Sequence, residues 1–154
     1  PYDAAIDFID GTKPGDLIAI ATSNSNASAF WGELFSAAAK GRGAVGMLTD
    51  GNVRDVNKIR DLGFAAFSQS CRPVDFKGRM VLIESQQPVK IGGVVIAPGD
   101  LVAIDDDGCA VVPQEREEEV IAAARARAKA ESTVLSELLS GSTLREVWTR
   151  HGIL

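Results

Sequence analysis

The first half of the sequence alternates apolar runs with amphipathic stretches, and this alternation limits the possible folds more than any other feature. The apolar runs 17–22, 44–48 and 64–68 have the length of buried strands. Helical spacing between them predicts helices at about 29–40, with Leu34 on its inward face, and at 53–62. Strands that alternate with helices predict parallel pairing in an α/β fold.

The second half has short strand-like runs at close spacing, which predict an antiparallel β layer. These runs are 79–85, 88–91, 94–97, 101–108 and 109–113. Gly92 and Gly93 indicate a hairpin turn. A long helix is predicted from about Glu115 to Ser140, followed by a short helix with Ser142 as its N-cap.

Composition excludes several classes of protein. The 154 residues match one ordinary domain, and the net charge of −5 comes without a continuous block of Lys and Arg, so a nucleic-acid footprint is not evident. No apolar run approaches the length of a membrane span, and the first residues do not resemble a signal peptide. Cys71 and Cys109 predict reduced thiols of a cytoplasmic protein, with a single disulfide as the alternative.

Three charged residues follow the predicted strands, at positions where α/β proteins commonly have ligand-binding and catalytic residues. Ligands of parallel α/β sheets gather at the carboxyl ends of strands, so Glu33, Arg54 and Asp55 are expected to face one pocket. Asp55 could hold a hard divalent cation, with Mg²⁺ keeping several waters. Arg54 could clamp a carboxylate or an enolate oxygen. Glu33 could bind through water or accept a proton.

A purely structural interpretation of the same residues stays open at this point. Acidic residues are common early in helices because of the helix dipole. An Arg-Asp pair on a helix is commonly a solvated surface. The predicted helix that begins near Ser28 would also present free backbone N–H groups, which attract carboxylate or phosphate.

The stretch WGELFSAAAKGRGAVGMLTDGNVRDV, residues 31–56, resembles the RraA-like family, which includes the 4-hydroxy-4-methyl-2-oxoglutarate aldolases. The family pattern is W-G-(D/E)-L, a hydrophobic strand and D-G-x-x-R-D. Glu33 precedes Arg54 and Asp55 by the twenty intervening residues of the aldolase branch. Residues 92–113 and the run KPGDLIAIAT are also similar to family segments. The resemblance implies a three-layer, swivelling β/β/α domain over residues 1–154, and we expect it to lack the family's N-terminal segment.

The same resemblance implies roles for individual residues. Asp55 would bind Mg²⁺ or Mn²⁺, Arg54 would contact the pyruvyl group and stabilise the enolate, and Glu33 would hold metal-bound water and a proton-transfer network. Backbone amides would receive the substrate carboxylate, at Gly32, Glu33, Leu34 and Phe35. An acid from the C-terminal helix of a neighbouring subunit would complete the site, and Glu131 is the candidate.

The activity implied by the resemblance is a class II, metal-dependent lyase. It would cleave a 4-hydroxy-2-oxo acid, such as 4-hydroxy-4-methyl-2-oxoglutarate, to pyruvate through an enolate, and the same chemistry would allow oxaloacetate decarboxylation. A cytoplasmic trimer or hexamer without nucleic-acid or membrane partners is expected. The alternative is a non-catalytic RraA-like regulator that binds ribonuclease E, because such members typically have Gly where this chain has Glu33. An aldolase-like scaffold for another 2-oxo acid or sugar acid is a third possibility.

Overall fold

The computed structural model of the chain describes residues 2–154, so Pro1, with which the predicted domain begins, lies outside the described residues. The chain divides into two compact units, one ending at Val102 and the other spanning Ala103–Leu154. The assignment of residues 1–154 to a single domain stays a prediction. No helix within residues 2–154 is long and apolar enough to cross a membrane.

A parallel four-stranded sheet forms the centre of the first unit. Its strands are β1 (Leu17–Ile20), β2 (Ala29–Trp31), β3 (Gly46–Val53) and β4 (Ala65–Cys71). β4 pairs along one edge of β3, while β1 and then β2 pair along the other edge. Every pairing is parallel, which confirms the prediction from the alternating pattern. All residues of β3 are buried, as expected for the central strand of a sheet that is covered on both faces.

Three helices pack with this sheet around an apolar core. They are α1 (Asp3–Asp10), α2 (Glu33–Gly41) and α3 (Val56–Asp61). Trp31 and Met47 are fully buried in that core, together with Phe76 at 1% exposure. The indole N–H of Trp31 donates to Ser36 Oγ at 2.7 Å, so the polar edge of the ring is satisfied inside the core.

The predicted helix from Ala29 was wrong in its first residues, because Ala29–Trp31 form β2. The N–H of Ala29 donates to Val74 O at 2.8 Å, and Trp31 is paired with Val53 of β3. Backbone donors satisfied in this way do not start a helix, and α2 begins at Glu33 instead. Leu34 was predicted on the inward face of this helix, but its side chain is 75% exposed.

The predicted end of the second strand at Leu48 was also wrong, because β3 continues through residues 49–52 to Val53. Both edges of the strand are paired there, with a register shift between Thr49 and Asn52. Asp50 is buried inside this segment, and its carboxylate accepts hydrogen bonds from the N–H groups of Thr22 and Asn24 at 2.6 and 2.9 Å. The extended strand places the start of α3 at Val56 rather than at Val53.

Two short sheets contain the remaining strands. β5 (Val89–Ile91) and β6 (Val94–Ile96) form the predicted antiparallel hairpin, with Gly92 and Gly93 both at positive φ in its turn. β7 (Leu101–Ile104) and β8 (Cys109–Val112) form the other sheet. The predicted strand at 79–85 is absent, because this run has no pairing partner among the described residues.

The second unit has two helices, α4 (Glu117–Leu139) and α5 (Leu144–His151). A 3₁₀ turn, Gln114–Arg116, precedes α4, so the long helix begins two residues later than predicted. The N-cap of α5 is Thr143 and not the predicted Ser142. Thr143 Oγ1 accepts the N–H of Glu146, while the Glu146 carboxylate accepts the N–H of Thr143, and this reciprocal capping box fixes the start of the helix.

Candidate functional site

The carboxyl ends of three parallel strands bring the candidate residues together. Val53, the last residue of β3, is paired with Trp31 of β2 and Cys71 of β4. The residues that follow these strands therefore meet at one edge of the sheet, the usual position for ligands in such folds. Arg54 and Asp55 follow β3, as the sequence predicted, and Gly32 follows β2.

The backbone conformation of Asp55 directs its carboxylate toward the start of α2. Asp55 has φ 59° and ψ 33°, a left-handed conformation that aspartate tolerates better than most residues. Its Oδ2 accepts the N–H of Glu33 at 3.2 Å and pairs with Arg54 at 2.7 Å. Within residues 2–154, Oδ1 of Asp55 accepts no hydrogen bond, so one oxygen remains for a ligand.

The guanidinium of Arg54 lies between two carboxylates. Nη1 is 2.7 Å from Asp55 Oδ2, and Nη2 is 3.3 Å from Asp75 Oδ2. Nε is buried and has no hydrogen-bond partner among the described residues. The backbone N–H of Arg54 donates to Trp31 O at 2.9 Å, which ties the residue to the end of β2.

Asp75 belongs to the site, although the sequence analysis missed it. Its Oδ1 accepts the backbone N–H of Lys77 at 2.6 Å and the hydroxyl of Tyr2 at 2.9 Å. These two hydrogen bonds and the charge of Arg54 hold the pKa of Asp75 below its ordinary value, and its carboxylate in turn raises the pKa of Tyr2. No periodic pattern surrounds Asp75, so its sequence neighbours gave no signal.

A cleft of about 310 Å³ opens beside these residues. Its walls consist of Val53, Arg54, Asp55, Val56, Cys71, Arg72, Pro73 and Asp75. Glu33 is not part of this lining, and its carboxylate pairs with Lys58 of α3 at 2.9 Å. The structure thus brings Arg54 and Asp55 to the cleft, while it brings only the backbone N–H of Glu33 to the Asp55 carboxylate.

The first turn of α2 has fewer free amides than the sequence suggested. The N–H of Glu33 is used by Asp55, and that of Ser36 donates to Gly32 O at 3.1 Å. The amides of Leu34 and Phe35, at the second and third helical positions, have no partner within the helix. The predicted binding of a substrate carboxylate by this turn stays a prediction.

Gly32 is required for space rather than for backbone freedom. Its φ of −159° is extended and open to any residue. A Cβ at this position would lie 2.8 Å from Asp55 Oδ2 and 3.0 Å from Arg54 Cγ. The absence of a side chain at Gly32 therefore allows the Arg54–Asp55 pair to pack against the start of α2.

Glu131 lies in α4 of the second unit. Its carboxylate pairs with Arg127 one helical turn earlier, and both side chains are about half exposed. Such an i,i+4 pair is common on a solvated helix surface. The role predicted for Glu131 in a neighbouring subunit's site stays a prediction.

The donor atoms at the cleft fit a cation with few protein ligands. Among the described residues there is no cluster of three or more His, Cys, Asp or Glu side chains that could hold a metal. Mg²⁺ commonly binds through one or two carboxylates and keeps several waters. Oδ1 of Asp55 beside an open cleft fits that kind of site, in which water and substrate oxygens supply the remaining ligands.

The sequence and the α/β fold both identify a chain of the RraA-like family. The family model, described as RraA-like, Aldolase/RraA, matches residues 3–111, and the chain belongs to this family. The predicted fold class, a three-layer α/β fold of the swivelling β/β/α type, is confirmed by the family match and by the solved structures that the chain resembles.

The chain matches only part of the length of two curated relatives. Protein DlpA of Legionella pneumophila is 31% identical over 94% of this chain, which spans 24% of that protein. A protein of Halalkalibacterium halodurans named "Putative 4-hydroxy-4-methyl-2-oxoglutarate aldolase" is 33% identical over 73% of this chain, which spans 53% of it. The chain therefore spans between about a quarter and a half of these relatives.

Two solved structures share the fold. An uncharacterised protein from Pseudomonas syringae has a TM-score of 0.88 and 32% identity, and the match covers 92% of this chain and 71% of that one. RraAS2 of Streptomyces coelicolor, described as an unusual member of the RNase ES inhibitor RraA protein family, has a TM-score of 0.76 and 26% identity. That match covers 86% of this chain and 68% of RraAS2.

Proposed function

We propose that this chain is a carbon–carbon lyase that forms pyruvate from a 4-hydroxy-2-oxo acid with the help of Mg²⁺ or Mn²⁺. The observation that carries the proposal is the Arg54–Asp55 pair beside the cleft, with Oδ1 of Asp55 unused by residues 2–154. The likeness to a relative named as a putative 4-hydroxy-4-methyl-2-oxoglutarate aldolase supports this substrate class.

Cleavage of such a substrate breaks the C3–C4 bond and leaves its electrons on the pyruvyl half. Negative charge then builds on the 2-oxo oxygen as the enolate of pyruvate forms. A divalent metal bound at Asp55 would supply Lewis-acid stabilisation of that charge. Arg54 carries more N–H donors than its two ion pairs use, so its terminal nitrogens can also donate to the 2-oxo acid.

Glu33 has the role of holding water and accepting a proton in this proposal. The 4-hydroxyl group must lose its proton as the carbon–carbon bond breaks, and the enolate must gain a proton at C3 to become pyruvate. A carboxylate is suited to accept the first proton and to return it. Lys58 Nζ lies 2.9 Å from Glu33 Oε2 and holds that carboxylate beside α3. The amides of Leu34 and Phe35 would receive the substrate carboxylate, and Glu131 of a neighbouring subunit would complete the site.

The proposal extends to assembly, location and a second reaction. We infer a homotrimer or hexamer in the cytoplasm, where the free cysteines Cys71 and Cys109 remain reduced. A small 2-oxo acid is the partner, and neither nucleic acid nor membrane is involved. Oxaloacetate would lose CO₂ in the same site, because this step also leaves the enolate of pyruvate.

The test is pyruvate release from a panel of 4-hydroxy-2-oxo acids and oxaloacetate, with Mg²⁺, with Mn²⁺ and after chelation. Asp55→Asn is the variant of choice, because Asn also tolerates the left-handed backbone that Asp55 adopts. Loss of the ligand charge should lower turnover by roughly 10²-fold or more and weaken metal binding, since Lewis-acid help is worth several kcal/mol.

Asp61→Asn provides the matched control, because it removes a carboxylate at the far end of α3, the helix that follows Asp55, and outside the cleft lining. Its turnover should match that of the wild type. Pyruvate formation by the wild type that persists undiminished after chelation would contradict the metal role of Asp55.

A second candidate function is a regulator of ribonuclease E. The likeness to RraAS2, described as a member of the RNase ES inhibitor RraA protein family, favours it. Glu33 favours the enzyme over the regulator, but only through the family pattern, in which regulators typically have Gly at this position. A wild type that binds ribonuclease E and forms no pyruvate from any acid in the panel with either metal would establish the regulator.

A further inference from the structure

The geometry points to Asp75, held by Tyr2, as the positioning residue for Arg54. The catalytic consequence rests on the proposed function, while the restraint on Arg54 does not. Asp75 lies twenty-one positions after Arg54 and Tyr2 lies fifty-two positions before it, so the fold alone brings them together.

The contact with Asp55 alone would still allow the guanidinium of Arg54 to rotate. Nη1 of Arg54 meets Asp55 Oδ2, an oxygen that also accepts the N–H of Glu33. A single contact at one end of the guanidinium allows the planar group to swing about that nitrogen. The second contact, from Nη2 to Asp75 Oδ2 at 3.3 Å, fixes the other end and so defines the direction of the plane.

The burial of Nε carries a cost that the other contacts of the guanidinium must offset. Nε of Arg54 is buried without an acceptor among the described residues, although an N–H group loses water when it is buried. A guanidinium free to turn would keep this donor in contact with solvent. The two carboxylates at Nη1 and Nη2 are the contacts that offset this cost.

Asp75 is suited to this role because its two oxygens have separate partners. Oδ1 accepts the Tyr2 hydroxyl and the Lys77 backbone N–H, and Oδ2 is left for Arg54. The ring of Tyr2 packs edge-on against the buried Phe76, with 5.0 Å between the ring centroids. The position of Asp75 is therefore set by the apolar core and by its own turn.

Removal of this contact should affect turnover more than substrate binding. Arg54 is proposed to act on charge that develops in the transition state, and only such interactions raise kcat. Asp75→Asn and Asp75→Ala should each lower kcat for pyruvate formation by at least about tenfold, with KM changed by less. Tyr2→Phe should have a smaller effect of the same kind, because Asp75 keeps its other contacts. Asp61→Asn, outside the cleft lining, should match the wild type.

The second measurement does not depend on turnover. Nitrogen-15 NMR at low temperature resolves the terminal N–H groups of an arginine whose rotation is restricted by ion pairs, and Arg54→Lys identifies the signals. We expect resolved Arg54 signals in the wild type and merged signals in Asp75→Ala, with circular dichroism to confirm that both variants fold.

The outcomes separate the inference from the proposed function. Merged signals together with a lower kcat support both. Merged signals in a protein that forms no pyruvate support the positioning of Arg54 and overturn the lyase. Arg54 signals that stay resolved in Asp75→Ala, or that are already merged in the wild type, overturn the inference whatever the turnover.

Discussion

Gly32 determines how closely the start of α2 approaches the Arg54–Asp55 pair. It has no side chain, and its extended backbone would accept any residue. Its Cα faces the carboxylate of Asp55 and the side chain of Arg54, at distances that leave no room for a methyl group. A residue without a side chain thus sets the geometry of the two charged side chains beside it.

Gly32→Ala should therefore damage the site more than the fold. The added Cβ would lie 2.8 Å from Asp55 Oδ2, and the pair must shift to make room. Since a misplacement of about 1 Å can cost 10²-fold in rate, we expect pyruvate formation to fall by that order. The free energy of unfolding should fall by about 1–3 kcal/mol, the usual cost of overpacking.

Gly41→Ala is the control for this prediction. Gly41 is the last residue of α2, and nothing lies within 4 Å of a Cβ placed there. This variant should keep full activity and gain up to about 1 kcal/mol of stability, because Ala is the better helix residue. Equal turnover of Gly32→Ala and Gly41→Ala would show that the space at Gly32 does not matter to the site.

Some of the site residues could be predicted from the sequence and others could not. The position of Arg54 and Asp55 at the strand ends could be predicted, because they follow an apolar run in a recognisable motif. Asp75 and Tyr2 were missed, because their hydrogen bond joins positions 73 residues apart and neither belongs to a periodic pattern. The left-handed backbone of Asp55 was missed too, since aspartate adopts that conformation in only some of its contexts.

Among the secondary-structure elements, β3 shows why a local turn signal can be wrong. Asp, Gly and Asn in succession are typical of turns. Here the Asp50 carboxylate is satisfied by the N–H groups of Thr22 and Asn24, and a Cβ on Gly51 would lie 2.6 Å from Thr22 Oγ1. Asp50 and Gly51 can therefore form part of a buried strand, because the loop after β1 provides hydrogen-bond donors for Asp50 and packs closely against Gly51.

At the same scale, α5 offers a test of a local electrostatic contact. The backbone N–H and the hydroxyl of Thr143 hold the pKa of Glu146 below its ordinary value. A carboxylate with a lowered pKa in the folded state stabilises the fold above its unfolded pKa, about 4.3 for Glu. That contribution is lost as the pH falls from there through the lowered value.

Glu146→Gln should remove this pH dependence but keep much of the cap, because Gln also forms capping boxes. The measurement is the difference in free energy of unfolding between the wild type and Glu146→Gln, followed from about pH 6 to about pH 3. The advantage of the wild type should shrink over that range, and Thr143→Ser, which retains the hydroxyl, should behave like the wild type. A difference that stays constant with pH would show that the Glu146 carboxylate does not make the stability depend on pH.

For the whole molecule, the surface of each unit carries apolar side chains that a soluble monomer would expose to water. In the first unit, Val81 and Ile83 are 74% and 86% exposed, and Val94 and Val95 of the hairpin strand β6 are also exposed. In the second unit, Leu135, Leu139 and Leu144 are exposed, together with Trp148. Apolar surface that is exposed in large patches commonly marks association sites.

We therefore expect the chain, 16.3 kDa as a monomer, to have three or six times that mass by light scattering at working concentration. Burial of the apolar side chains in contacts between copies would stabilise the assembly, at about 25 cal/mol for each Å² of apolar surface removed from water. Ile83→Asp should weaken the assembly and lower its mass, because a charge buried in an apolar contact is costly. Glu84→Gln, a change at the next residue that adds no charge, should leave the mass unchanged. A wild type that stays monomeric across the concentration range would mean that these side chains serve another contact and that the proposed neighbour-subunit role of Glu131 fails.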